Sequence, residues 1–113
     1  MSIAVELEAL PERIAEYGSL AFLVTVGEDH RAHVVSVRVG EAGDGRLTLP
    51  AGRRTRANVE ARPSVTIVWP PGPDGRYSLI IDGAAQAPGD GDDPVSIRPS
   101  SAVLHLLARP TAD

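Results

Sequence analysis

The residues best suited to chemistry in this chain lie between Leu47 and Trp69, in the run LTLPAGRRTRANVEARPSVTIVW. Three arginines, Arg53, Arg54 and Arg56, bracket Thr55 where a short helix is expected to start. A helix start carries partial positive charge and exposes unpaired backbone N–H groups. Cations there oppose that charge, whereas acids would complement it. Guanidinium forks, N–H groups and a hydroxyl gathered at one point can hold a phosphate. The competing reading is that the arginines are solvated, or paired with some of the 15 carboxylates of the chain. Upstream, Ser36 and Arg38 share one face of an expected strand whose other face is Val35, Val37 and Val39. Two readings stay open for that polar face: contact with solvent, or a patch turned towards a bound cofactor.

Other chemistries find little support. There are no cysteines, which removes disulfides, thiolate nucleophiles and Cys-ligated metals. His30, His33 and His105 lack metal-ligand spacing, and no metal site is expected. The acidic turn Asp90-Gly91-Asp92-Asp93 lacks the bidentate Glu of a calcium loop and runs into Pro94, so it reads as a solvated turn. Gly40 to Gly45 is followed by an expected strand and not a helix, which argues against a dinucleotide fingerprint. Walker A and nucleophile-elbow patterns are absent, and no carboxylate pair is placed for acid–base work. No catalytic residue is therefore assigned. Trp69 reads as core or dimer packing, and His33 as a satisfied structural histidine.

The elements that must position these residues follow from periodicity. Leu7, Leu10, Ile14 and Tyr17 recur at helical spacing. Pro11 suits a helix start and Gly18 a stop, which predicts a helix over 11–17 with a separate helical turn before it. Strands are expected over Leu20–Val26 and Ala32–Val39, joined by the turn at Gly27-Glu28-Asp29-His30, and over Arg46–Leu49 after a turn at Gly40–Gly45. Thr55 is the expected N-cap of the inter-strand helix, and Pro63 stops it. Further strands are expected over Val65–Trp69, Arg76–Ala85, Val95–Arg98 and Ala102–Leu107. Short antiparallel strands in one small domain bury themselves best by closing into a barrel. The expectation is a mainly β fold: a six- to seven-stranded antiparallel split β-barrel with a short N-terminal helix and one short helix between strands.

Composition is consistent with that. The 113 residues suit one domain, 1–113, and 42% of them are hydrophobic, as a packed core requires. A net charge of −4 argues against nucleic acid as a partner. No apolar run approaches the ~20 residues that cross a bilayer, so no membrane partner is expected. The first residues carry acids and no basic targeting region, which makes the cytoplasm the expected location.

The order of a short strand, a turn, a basic helix start, Asn58-Val59, Arg62-Pro63 and an apolar strand resembles the FMN-binding split-barrel family related to the pyridoxamine 5'-phosphate oxidases. The first hairpin, AFLVTVGEDHRAHVVSVRV, is similar to the opening of that family, and the resemblance covers about Gly18 to Ala85. It implies a homodimer with the flavin between subunits, acting as an oxidoreductase on a small organic substrate. Val35, Ser36, Val37 and Arg38 would line the ring or ribityl chain, and Leu49, Pro50 and Ala51 would present backbone to the ring. Arg53, Arg54, Thr55 and Arg56 would face the phosphate, and Asn58 would brace that turn. Thr55 stands where many relatives place a Lys, so the deazaflavin F420, or no cofactor, is the alternative to FMN. A non-catalytic split-barrel module is the corresponding alternative to an enzyme.

Overall fold

The computed structural model describes residues 1–73 and 75–108. It contains eight strands: β1 (Ser2–Ala4), β2 (Leu20–Val26), β3 (Ala32–Arg38), β4 (Gly40–Glu41), β5 (Leu47–Leu49), β6 (Ser64–Trp69), β7 (Tyr77–Gln86) and β8 (Val95–Leu106). A 3-10 turn (Leu7–Ala9) leads into helix α1 (Leu10–Tyr17), and helix α2 (Arg53–Ala61) connects β5 to β6. The sheet is antiparallel, in the order β3-β2-β6-β7-β8-β5-β4, with β1 added beside β8. Its two end strands, β3 and β4, are separated by Val39 alone, so the curled sheet meets itself through one continuous stretch of chain. That is the split barrel expected from the sequence.

Alternation fills the interior. Leu23, Ile67, Trp69, Leu79, Ile81, Val95 and Ile97 are almost wholly buried. Residues between them in the chain point to the outer face. Trp69 belongs to the core as expected, and its Nε1 donates to the carbonyl of Gly18 at 2.8 Å. Gly18 ends α1 at φ +90°, a conformation that favours glycine, with its N–H bonded to Ile14. The Tyr17 hydroxyl donates to the Tyr77 carbonyl at 2.8 Å, tying α1 to β7. Burial, reinforced by the nearby Glu16 charge, holds that phenol above its usual pKa despite the opposing Arg13.

Several expectations need correction. Strand β1 is unforeseen: three exposed residues carry no alternation signal, and the edge of β8 supplies the pairing. The two segments expected at 95–98 and 102–107 form one strand, Val95–Leu106, in which a register shift between Asp82 and Gly83 leaves Ser100 unpaired beside Pro99, which has no N–H to give. At that shift Gly83 is needed, since a Cβ there would lie 2.6 Å from the Arg98 carbonyl oxygen. Gly40 and Glu41 are strand and not turn. Helix α2 starts earlier than expected: Gly52, in extended conformation, is its N-cap, which places Thr55 inside the first turn with no capping role.

Candidate cofactor-binding site

Helix α2 opens with no side-chain cap and no acid in its first turn. Its first internal bond runs from the Arg56 N–H to the Gly52 carbonyl at 3.0 Å, so the preceding N–H groups face outward. Beside this end lies a groove of about 460 Å³ lined by Arg38, Gly40, Thr48, Leu49, Pro50, Asp92 and their neighbours. A second groove, also about 460 Å³, is lined by Ala51, Gly52, Arg53, Arg56, Ala57, Glu60, Gly91 and Asp92. The two share Asp92, and between them runs the continuous backbone of Pro50 to Gly52. The fold thus brings Arg38, Leu49, Pro50, Ala51 and Arg53 to one edge of the barrel.

The remaining candidates are placed differently. Ser36 is exposed on the outer face, paired with Phe22 across β2. Val35 and Val37 point inward from the same strand, and Val37 is core. Arg54 turns away from Arg53, into a separate groove with Gly27, Glu28 and Asp29. Thr55 is buried, with Oγ1 3.5 Å from His33 Nε2. Arg56 lines the groove of Arg53 but is itself buried. Its Nη1 donates to the Asp93 carbonyl at 2.6 Å, and its Nη2 to the carbonyls of Pro88 at 3.0 Å and Ala87 at 3.3 Å. Both terminal nitrogens of Arg56 are thereby spent on holding the β7–β8 loop against α2. Asn58 is buried and donates from Nδ2 to Thr25 Oγ1 at 3.1 Å, fastening the helix to β2.

Asp92 and Pro94 in the β7–β8 loop, and Gly40 and Thr48 on adjacent strands, were not foreseen as groove residues. Asp90 to Asp93 are exposed, as expected of a solvated acidic turn, and the guanidinium of Arg56 ties the loop to the helix. Among the described residues, no cluster of His, Asp and Glu could hold a metal ion, and no helix is long and apolar enough to cross a membrane.

The residue types fit a phosphate-bearing ligand. Arg38 and Arg53 supply cations, the open start of α2 supplies N–H donors, and Gly52 keeps the approach clear, with nothing within 4 Å of a Cβ placed there.

No protein-family model matches the chain. Two curated relatives do: uncharacterised protein Mb0449c of Mycobacterium bovis and uncharacterised protein MT0457 of Mycobacterium tuberculosis. Each is 39% identical over 119 aligned positions, covering 94% of this chain and 83% of the relative. The chain belongs to their family. Solved structures resemble this chain in fold. A candidate pyridoxamine 5'-phosphate oxidase from Listeria innocua superposes with a TM-score of 0.69 at 21% identity, covering 88% of this chain and 98% of that one. An F420 reductase superposes with a TM-score of 0.64 at 20% identity, covering 80% and 94%. A protein of the pyridoxinephosphate oxidase family from Clostridium acetobutylicum, related to a general stress protein of Bacillus subtilis, gives 0.58 at 12% identity, covering 90% and 86%. This chain therefore has the pyridoxamine 5'-phosphate oxidase-like split-barrel fold.

Proposed function

We propose that this protein binds a flavin or deazaflavin along the edge formed by β4, β5, the start of α2 and the β7–β8 loop, and serves as an oxidoreductase on a small organic substrate. The reading is carried by the pair of grooves that flank the Pro50–Gly52 backbone, with Arg38 on one side and Arg53 on the other. In it, Arg53 and the N–H groups of α2 hold the phosphate, and Arg38 holds the polar chain. The backbone at Leu49–Ala51 lies against the ring. Arg56 and Asn58 act indirectly, fixing the loop and the helix. When bound, the cofactor supplies the hydride or electron transfer; the protein supplies binding, orientation and exclusion of water. FMN is the first candidate and F420 the alternative; the F420 reductase among the fold neighbours supports keeping both.

A homodimer completes the proposal. The outer face of β2 and β3 exposes Leu20, Phe22 and Val34, and the row Phe22, Val68, Ile80 and Val103 continues across β6, β7 and β8. A contiguous apolar face of this kind marks an interaction surface. A second copy seated on it would cover that face and wall the open grooves.

The test is titration with FMN and F420. A charge-assisted hydrogen bond contributes about 1.5–3 kcal/mol, so Arg53→Ala should weaken the bound cofactor roughly 10- to 100-fold. Arg54→Ala, facing another groove, should change it less than threefold. Equal effects from the two variants, or no binding of either cofactor by the native chain, would refute the assignment.

A further inference from the structure

The outer face next to the Arg38 groove ends in a second cationic cup. Strand alternation turns Arg46, Thr48, Ser96 and Arg98 outward, while Leu47, Leu49, Val95 and Ile97 are core. Register aligns Gly40 with Thr48, Thr48 with Ser96, and Ser96 with Gln86, a row of small or polar side chains crossing four strands. The row is shallow at Gly40, where a Cβ would lie 3.1 Å from Thr48 Oγ1. At one end of this floor stands Arg38 with Pro50. At the other, Arg46 and Arg98 flank a cavity of about 100 Å³ that Ala84, Gln86 and Ser96 complete and no acid lines.

The two arginines of this cup differ. Arg46 is held: Nε donates to Asp44 Oδ2 at 2.7 Å, and Nη1 lies 3.5 Å from Ser96 Oγ. Arg98 is exposed and, among the described residues, makes no side-chain hydrogen bond or ion pair. Arg46 and Pro50 flank β5 at its two ends, four residue steps apart, about 13 Å at the usual rise per residue.

We propose that Arg98, with Arg46 beside it, forms a second oxyanion subsite, which binds the far anionic group of an elongated ligand whose phosphate sits at Arg53 and the start of α2 and whose polar chain passes Arg38. This rests on the cofactor reading above. The ligand chemistry is a carboxylate or phosphate that reaches about 13 Å past Pro50 along β5, away from the phosphate end. FMN carries a single phosphate and cannot fill both ends. The second oxyanion belongs either to a longer cofactor with an acidic tail or to an anionic substrate lying on the floor beside the ring.

Fluorescence and absorbance titrations separate these sources. The probes are FMN, F420 with its carboxylate-bearing tail, and inorganic phosphate added to cofactor-loaded protein. With an acidic tail in the cup, Arg98→Ser weakens F420 about tenfold, or about 1.4 kcal/mol, and leaves FMN within about twofold. Arg98→Lys then restores most of the affinity. With a substrate anion in the cup, Arg98→Ser leaves both cofactors unchanged and weakens phosphate binding to the loaded protein. Unchanged F420 and phosphate binding in Arg98→Ser would overturn the subsite alone, as would an equal loss of FMN and F420. A native protein that binds neither cofactor would overturn the cofactor reading together with it.

Discussion

Replacing Asn58 with alanine removes the buried side-chain bond between α2 and β2, and the cost follows from where that bond lies. Thr25 is fully buried and Asn58 is 5% exposed, so no water replaces the lost donor. The hydrogen bond contributes about 1 kcal/mol net, and a buried acceptor left without a donor costs about 1–3 kcal/mol more. Alanine returns up to about 0.7 kcal/mol through its better helix propensity. The balance is a loss of about 2 kcal/mol. For a chain of this size that is roughly 8 °C in Tm. Thermal and urea unfolding of Asn58→Ala, Thr25→Val and the double variant would measure it as a cycle. Because Thr25→Val removes the stranded hydroxyl, the double variant should be no less stable than Asn58→Ala, a coupling of at least about 1 kcal/mol. A Tm within 2 °C of the native chain for Asn58→Ala, or single effects that simply add, would refute the reasoning.

Two further outcomes test other parts of the molecule. Phe22→Glu puts a charge in the middle of the apolar outer face; sedimentation should show a native dimer turned into a folded monomer, and an unaltered assembly would move the interface elsewhere. The Asp44 carboxyl is held below its ordinary value of 3.8 by the Arg46 N–H first and the Arg46 guanidinium next. A lowered folded pKa means stability that is present above 3.8 and lost as the pH falls through the folded value. Asp44→Asn should therefore lower Tm slightly at pH 7, and the difference should close only in acid below 3.8; a difference that persists there, or grows, contradicts the pairing.

Much of this architecture was legible from local pattern. Leu20–Val26 is a short apolar run of strand formers, Ala32–Arg38 alternates as strands do, and Gly18 and Pro63 stop helices, because these signals depend only on neighbours in the chain. The bunching of Arg53, Arg54 and Arg56 at a helix start was visible in the same way. Their division of labour was not. One residue of difference along α2 is about 100° of rotation, so Arg53 meets one groove and Arg54 another; Arg56, three residues on, returns to the groove of Arg53, but its guanidinium is taken by the carbonyls of a loop some thirty residues later. Likewise Arg38, Arg46 and Arg98 are scattered through the chain, and only the register of β4, β5 and β8 sets them on one face. Local sequence decides which segments are helix or strand. Long-range pairing decides which charges remain available, because a guanidinium is consumed by whatever acceptor the fold brings to it.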